Sequence, residues 1–462
     1  MSETEKYIQQ LLALKAVAIS PKNEQAFQEF VSKKENIDKV KLIQELQKQM
    51  AKDWELMNRK LDIQNQQVFF PNGTVGKEYT ASLDFDELDL SDLNTISIKG
   101  LEKFGLEYNS EENKISGIAT ESGQLKFSLF YKINEDDENK FYEKILTIIF
   151  NPDPKSLWKN IPSNSEDLYW KKDAISEIYS LEKKTVLVAS KRGRSHANKG
   201  SFRDDDYTIQ HFSENNWSLV AVSDGAGSAI LGRKGSEIAC KAVADFFQNY
   251  FNENSSSNFD KEILEFKNNG KALVEIKNEF LKASKFAYQE IQDFADKTEN
   301  ALKDFHATLI FALLKKFDFG YAILTFGVGD CPIGVVNKDQ NSVDLMNKID
   351  VGEFGGGTRF ITMPEIFEDE NFDSRFNFKI VDDFSFLFLM TDGIYDPKFE
   401  VEANLKKIEK WNAFIEDLKG KNEDNFAVNL ENKNEETASQ LSQWMDFWSP
   451  GNHDDRTLAI IY

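Results

Sequence analysis

The chain has 462 residues, of which 40% are hydrophobic, and it carries a formal net charge of −22. This length suits roughly two or three domains, and the charge argues against a nucleic acid or an anionic membrane as the natural partner. No apolar run approaches the ~20 residues that span a bilayer, and no signal peptide is visible at the N-terminus. The two cysteines, Cys240 and Cys331, lie far apart in apolar segments, which favours reduced core thiols in a cytoplasmic protein.

The N-terminal segment, residues 1–67, is helical by pattern. Phe27, Phe30 and Val31 recur at helical spacing, as do other apolar residues on either side of them. So much charge around one apolar stripe suits a helical hairpin that packs on something else. Two roles stay open for this segment, an N-terminal cap or a partner-binding arm, and we favour the cap.

From residue 68 to residue 151 the apolar period changes to two. Short alternating runs separated by turn residues predict β-strands here. Residues 72–83 and 106–123 resemble phrases of the immunoglobulin-like modules of bacterial surface proteins. The resemblance implies a small β-sandwich over 68–151, a scaffold that says little about function. Residues 152–174 hold three prolines among polar and aromatic residues, which predicts a linker.

In the remainder, residues 175–462, aspartate recurs at the ends of apolar runs. Asp224, Asp330 and Asp392 each end such a run beside a glycine, and Asp454 comes just before the last run. Near-continuous apolar runs of this length are typical of strands buried on both faces, which hold a terminal residue rigidly at the rim of a sheet. Carboxylates brought together in this way repel one another unless cations lie between them. The pattern therefore predicts a site for a hard metal ion.

Two further places offer oxygen ligands. A glycine-containing turn leads to three consecutive acids, Asp204, Asp205 and Asp206, before another strand. Gly225 follows Asp224, and because glycine has no Cβ its carbonyl can approach a cation directly. No cluster of histidine or cysteine accompanies these oxygens, so the ligand set favours magnesium or manganese over zinc or copper.

The order of these motifs resembles the metal-dependent Ser/Thr protein phosphatases of type 2C. A single Asp-Gly is a common turn dipeptide, but independent turns have no reason to reproduce the order of a whole family. The motifs that match are, in chain order, Asp204-Asp205, Asp224-Gly225, His306-Ala-Thr308, Gly329-Asp330, Thr391-Asp392-Gly393 and Asp454-Asp455. The resemblance implies an α+β fold in which residues 175–462 form an α-β-β-α sandwich, two antiparallel sheets flanked by helices.

Carried over residue by residue, the resemblance also implies a centre of two Mn²⁺ or Mg²⁺ ions with a third, weaker position. Asp224 would bridge the two ions, while Asp392 and Asp454 would hold one of them. The full set of implied ligands is Asp204, Asp205, Asp224, Gly225, Asp330, Asp392 and Asp454. The implied mechanism is direct attack of a metal-bridging hydroxide on phosphoserine or phosphothreonine, with no phosphoenzyme.

The chain departs from the family pattern at the position after Asp224-Gly225. Eukaryotic members carry a histidine there, proposed as the acid for the leaving alkoxide, whereas this chain has Ala226. His196 is the best candidate for a catalytic role near the phosphate, against the alternative that it only stabilises a loop. The phosphate-binding cation stays open among Arg192, Arg194, Lys199 and Arg203.

The leading hypothesis is therefore an active phosphatase of phosphoprotein substrates, with a cognate Ser/Thr kinase as a suggested partner. One alternative is a phosphatase-like binding or sensor module without turnover. Another is a phosphatase of a small phosphorylated metabolite, which would need a walled pocket instead of an open site. The front segments, residues 1–151, could serve to bind a protein partner.

Overall fold

The computed structural model describes residues 1–134, 136, 140–181, 183–253, 257–350, 357–368 and 372–462. The chain forms two compact units, Met1–Leu157 and Trp158–Tyr462. Most of the segment expected to be a linker, residues 158–174, therefore belongs to the second unit. No helix in the described part of the chain is both long and apolar enough to cross a membrane.

Three helices begin the first unit: α1 (Glu3–Leu14), α2 (Glu24–Ser32) and α3 (Lys34–Asn65). Ser2 caps α1, because its hydroxyl accepts from the Glu5 amide while the Glu5 carboxylate accepts from the Ser2 amide. A small apolar cluster joins the three helices through Ile8, Phe27 and Val40.

The strands of the first unit form two sheets. They are β1 (Gly73–Thr74), β2 (Glu78–Ser82), β3 (Leu93–Lys99), β4 (Leu106–Asn109), β5 (Lys114–Ile118), β6 (Gly123–Ile133) and β7 (Tyr142–Asn151), followed by the short helix α4 (Pro154–Leu157). One sheet has the order β1-β7-β6-β3 and the other β2-β5-β4, and both contribute side chains to one core that includes Ile115 and Leu129. This is a small β-sandwich, and its likeness to immunoglobulin-like modules stays a prediction.

The end of α3 joins the sandwich core. Ile63 is buried among the sandwich side chains. Lys144, on β7, donates from Nζ to the carbonyl oxygens of Ile63, Gln64 and Gln66 at 2.7, 3.0 and 2.7 Å. One buried ammonium thus satisfies the last carbonyls of α3, which the helix itself leaves unpaired.

The second unit is built on two antiparallel sheets. Its strands are β8 (Ala174–Ser180), β9 (Thr185–Lys191), β10 (Asp206–Phe212), β11 (Trp217–Ser223), β12 (Leu309–Phe317), β13 (Gly320–Val328), β14 (Ile333–Asn337), β15 (Val343–Leu345), β16 (Phe376–Val381), β17 (Phe384–Met390) and β18 (Arg456–Ile461). One sheet has the order β10-β11-β12-β13-β16 and the other β15-β14-β17-β18-β9-β8. In the second of these sheets, β18 lies between β17 and β9.

Helices cover the outer face of each sheet. The helices of this unit are α5 (Arg194–Lys199), α6 (Gly232–Glu253), α7 (Ser257–Asn269), α8 (Val274–Lys297), α9 (Asp392–Phe399), α10 (Ile408–Leu418) and α11 (Glu435–Trp444). Helices α6, α7 and α8 pack on the sheet of β11 and β12, and α9, α10 and α11 pack on that of β17 and β18. Valines and isoleucines of both sheets fill the layer between them. The predicted α-β-β-α sandwich is confirmed.

One helical pattern is shorter in the structure than in the sequence. Apolar residues continue at helical spacing from about residue 259 to residue 305, which predicts one long helix, but α7 ends at Asn269 and α8 runs only from Val274 to Lys297. Gly270 separates them with a φ of +67°, a left-handed conformation that ends a helix and that glycine adopts without strain.

Candidate metal centre

Strand register brings five carboxylates to one rim of the second unit. In one sheet, β10 begins where β11 ends, and β12 begins where β13 ends. Asp205 directly precedes β10, Asp224 directly follows β11, and Asp330 lies two residues after β13. In the other sheet, β18 begins beside the end of β17. Asp392 is the first residue of α9 after β17, and Asp454 lies two residues before β18.

These carboxylates disfavour one another's ionisation. Burial, together with the charges of Asp392 and Asp205, raises the pKa of Asp224 well above its ordinary value. Burial and the charge of Asp454 likewise raise the pKa of Asp392. Buried carboxyl groups this close together require protons or cations between them.

Three carboxylate oxygens at this rim lack a hydrogen-bond partner among the described residues: Asp205 Oδ1, Asp330 Oδ1 and Asp392 Oδ1. Burying such an oxygen without a donor is costly, and a divalent cation can supply the missing interaction. One carboxylate oxygen each of Asp224 and Asp330 and the Sγ of Cys331 lie within 4.8 Å of one another. Because the unpaired atoms are all hard oxygens, the residues fit Mg²⁺ or Mn²⁺.

Two threonines orient Asp205, which is fully buried. Thr391 and Thr457 each donate a hydroxyl hydrogen bond to Asp205 Oδ2, at 2.8 and 2.7 Å. Both contacts fall on the same oxygen, so the other oxygen stays available. Burial and the neighbouring charge of Asp455 raise the pKa of Asp205 to about 7. Sequence analysis missed the role of these threonines, whose only signal was a position beside the Asp392 and Asp454 motifs.

Asp455 is a second residue whose role the sequence did not reveal. Its Oδ1 accepts from the Gly193 amide at 2.5 Å and lies 3.0 Å from His196 Nδ1, while its Oδ2 accepts from the Asp204 amide. Burial opposes its ionisation, but His196 and the two amides outweigh burial and lower the pKa of Asp455. Asp455 thereby ties α5 to the loop that carries Asp204 and Asp205.

His196 lies at the same rim, in α5 and between two carboxylates. Asp455 fixes its Nδ1, and its Nε2 is 3.8 Å from Asp204 Oδ2. Burial lowers the pKa of His196, but the charges of Asp455 and Asp204 outweigh burial and raise it to about 9. The pKa of Asp204 is raised to about 7 by burial and by the charge of Asp455.

Gly225 lies where two loops meet. A Cβ at this position would come within 2.5 Å of the Gly232 carbonyl carbon and 2.7 Å of the Asp204 carbonyl oxygen, so only glycine fits. Thr308, which directly precedes β12, holds Asp224, the residue before Gly225. Its amide donates to the Asp224 carbonyl at 2.8 Å, and its Oγ1 accepts from the Asp224 amide at 2.9 Å.

Ala226 occupies the position at which the resembled family has a histidine in its eukaryotic members. Ala226 follows Gly225, and its amide donates to the His306 carbonyl at 2.9 Å. Neither the alanine nor that hydrogen bond supplies an acid, so this place offers none for a leaving group.

Of the four cations weighed for phosphate binding, two are committed elsewhere. Arg192 and Arg203 are buried. Arg192 donates to the Ser201 carbonyl at 2.8 Å, and Arg203 donates to the Asp205 carbonyl at 2.6 Å. Arg194 donates to a backbone carbonyl as well, whereas Lys199 is exposed. Spacing alone could not separate these residues, because the contacts that distinguish them come from distant parts of the chain.

Similar proteins are found among solved structures. No curated protein sequence matches the chain. Among solved structures, the chain is similar to the serine/threonine phosphatase Stp1 from Staphylococcus aureus, with 14% identity, a TM-score of 0.37, and coverage of 62% of this chain and 96% of that chain. It is similar also to the Mycobacterium tuberculosis serine/threonine phosphatase PstP/Ppp, with 11% identity, a TM-score of 0.36, and coverage of 60% of this chain and 97% of that chain.

A family model gives the assignment. The model described as protein phosphatase 2C matches residues 192–445, more than half of the 462-residue chain. The matched range includes every predicted ligand except Asp454, which lies nine residues beyond it. The chain belongs to the protein phosphatase 2C family of metal-dependent protein phosphatases.

Proposed function

We propose that this chain hydrolyses phosphoserine and phosphothreonine in proteins directly, with bound Mn²⁺ or Mg²⁺. The observation that carries the proposal is the set of buried carboxylate oxygens that have no hydrogen-bond partner at one rim of the described structure. Membership of the family supports the reaction class.

The proposed ligands would hold two ions, with Asp224 a ligand of both, and Asp330 and Asp392 would hold a third ion more weakly. The remaining ligands would be Asp204, Asp205, Gly225, Asp392 and Asp454. Bound ions of this kind lower the pKa of water, position a phosphoryl group and neutralise its charge. The residues of the chain orient these ligands: Thr391 and Thr457 leave Oδ1 of Asp205 available, and Thr308 holds the backbone of Asp224.

His196 is our candidate for the proton donor to the leaving group. Asp455 fixes its Nδ1, which leaves Nε2 as the ring atom that can hold or give a proton. In His196→Gln we expect kcat for a phosphoserine peptide to fall about 100-fold, within the range usual for a lost general acid. For p-nitrophenyl phosphate, whose leaving group needs no proton, kcat should change little. Equal losses on both substrates would reduce His196 to an orienting role.

The reaction itself is tested with a phosphothreonine peptide, in Mn²⁺, in Mg²⁺ and in a chelator. We expect metal-dependent release of phosphate that Asp392→Asn abolishes and that Asp424→Asn, a change at an exposed acid, leaves intact. If folded protein releases no phosphate with either metal, the binding or sensor module becomes the better hypothesis. If small phosphomonoesters turn over and phosphopeptides do not, the substrate is a metabolite.

The partners follow from the substrate. We propose a cytoplasmic phosphoprotein and the Ser/Thr kinase that phosphorylates it. Residues 1–151 are our candidate for a protein-binding part of the chain.

A further inference from the structure

A buried lysine lies beneath the loop of Asp204 and Asp205, twenty-one residues before the range that the family model matches. The side chain of Lys171 is only 12% exposed. Its Nζ donates to the Asp205 carbonyl at 2.7 Å, to the Arg233 carbonyl at 3.1 Å and to Asp206 Oδ2 at 3.1 Å. It also lies 3.4 Å from Ser236 Oγ.

These contacts join the segment of Asp205 to the first turns of α6, the helix that follows the Asp224–Gly225 loop. The acceptors at 205 and 206 belong to the start of β10, whereas Arg233 and Ser236 belong to the first turns of α6. Helix α6 begins at Gly232, whose carbonyl group lies against Gly225. A second bridge runs beside the first, because Ser236 Oγ donates to the Asp204 carbonyl.

Lys171 lies in residues 158–173, a segment that we call the strap. Three buried arginines bind this segment. Arg203 donates to the Lys172 carbonyl at 3.0 Å. Arg192 donates to the Ile161 carbonyl at 2.9 Å, and Arg233 pairs with Asp167 at 2.9 Å. The strap is thus part of the second unit, and three of its residues are bound by arginines that lie near the carboxylate rim in the sequence or next to its loops.

We propose that Lys171 is a positioning residue of the metal centre. By holding the start of β10 against the start of α6, it keeps the Asp204–Asp205 loop and the Asp224–Gly225 loop at the spacing that the ions require. Without its ammonium group, two backbone carbonyls and the Asp206 carboxylate lose a donor, and the Ser236–Asp204 hydrogen bond is left to hold the start of β10 against α6 with fewer contacts. Removing a group that orients metal ligands without contacting the metal typically weakens metal affinity by about 10- to 100-fold. The inference rests on the proposed metal centre, but not on turnover.

The test compares Lys171→Met with Lys172→Met in the full chain. Lys172 is the exposed neighbour, so its change matches the loss of charge without the loss of contacts. Thermal unfolding is followed as Mn²⁺ is titrated, and phosphopeptide hydrolysis is followed in parallel. We expect the Mn²⁺ midpoint of Lys171→Met to rise at least tenfold in both measurements. At saturating Mn²⁺, its kcat and its melting temperature should return close to those of the wild type.

Other outcomes distinguish an error about Lys171 from an error about the proposed function. An unchanged Mn²⁺ midpoint, or a loss of kcat that saturating metal does not restore, contradicts the positioning role. If Mn²⁺ stabilises the wild type but no phosphate is released, the proposed function fails while the thermal midpoints still decide the role of Lys171. If Mn²⁺ does not stabilise the wild type, both proposals fail. Should Lys171→Met not fold, Ser236→Ala removes the parallel bridge to Asp204 and should raise the midpoint in the same direction.

Discussion

A buried carboxylate at the rim is unfavourable in the absence of metal and essential in its presence. Asp392 is surrounded by other acids, and burial together with Asp454 raises its pKa. In a chelator we therefore expect Asp392→Asn to be more stable than the wild type, by on the order of 1 kcal/mol, because it removes one of several repelling charges. In saturating Mn²⁺ the order should reverse, since the wild type alone keeps this ligand. Thermal unfolding of both proteins under the two conditions measures the effect, and a less stable variant in chelator would contradict it.

Gly393 is constrained by space. A Cβ at this position would overlap the carbonyl oxygen of Asp455, the residue directly before β18. We expect Gly393→Ala to destabilise the second unit by roughly 1–3 kcal/mol or more and to reduce metal-dependent activity, because the backbone at 455 must move. Gly227→Ala is the matched control, since a Cβ there meets nothing within 4 Å. Chemical denaturation and phosphopeptide hydrolysis of both variants check this, and equal behaviour would contradict it.

At the scale of elements, the end of α3 depends on a residue of β7. Lys144 donates to the carbonyls of Ile63 and Gln64 in the last turn of that helix and to that of Gln66 directly after it. We expect Lys144→Met to cost about 1–3 kcal/mol in the first unit, because buried carbonyls lose their donor. Lys126→Met, on the neighbouring strand with an exposed side chain, is the control. Faster amide hydrogen exchange at the end of α3 in the first variant alone would support the assignment, and equal exchange would contradict it.

Elements with strong local patterns were predictable from the sequence, and elements defined by distant contacts were not. The runs that end at Asp224, Asp330 and Asp392 are strands whose ends lie at one rim, as their apolar continuity indicated. The helical spacing from 259 to 305 did not indicate the break at Gly270. Apolar residues continue at that spacing on both sides of Gly270, although its φ is positive. Residues 158–174 resembled a linker because their contacts are made by arginines and a lysine, which carry no apolar period.

The same distinction holds inside the candidate site. The aspartates next to glycine could be predicted as candidate ligands from their local sequence. Thr457 and Asp455 did not, because their partners lie more than 250 residues away along the chain, as the contacts of Asp455 with His196 and of Thr457 with Asp205 show. A single sequence contains no signal for such pairs. The assignment of ligands to individual ions stays a prediction.

At the scale of the whole molecule, each unit has its own hydrophobic cores, with buried residues drawn from that unit alone. We therefore expect residues 158–462 to fold alone and to bind Mn²⁺ as the full chain does. A fragment that starts at 175, the boundary suggested by sequence, lacks the strap and should bind Mn²⁺ at least tenfold more weakly. Circular dichroism and Mn²⁺-dependent melting compare the two. Equal Mn²⁺ midpoints would contradict the importance of the strap.

The place of β18 bears on how the protein is made. This strand is synthesised after the other strands of its sheet, yet it lies between β17 and β9. Until β18 is available, β17 and β9 each present an unpaired edge that can bind another strand, and the carboxylates before β18 are absent from the rim. We therefore expect a nascent chain that still lacks β18 to lack the predicted metal centre as well. The addition of β18 joins the two open edges of the sheet and brings Asp454 to the rim in the same folding step.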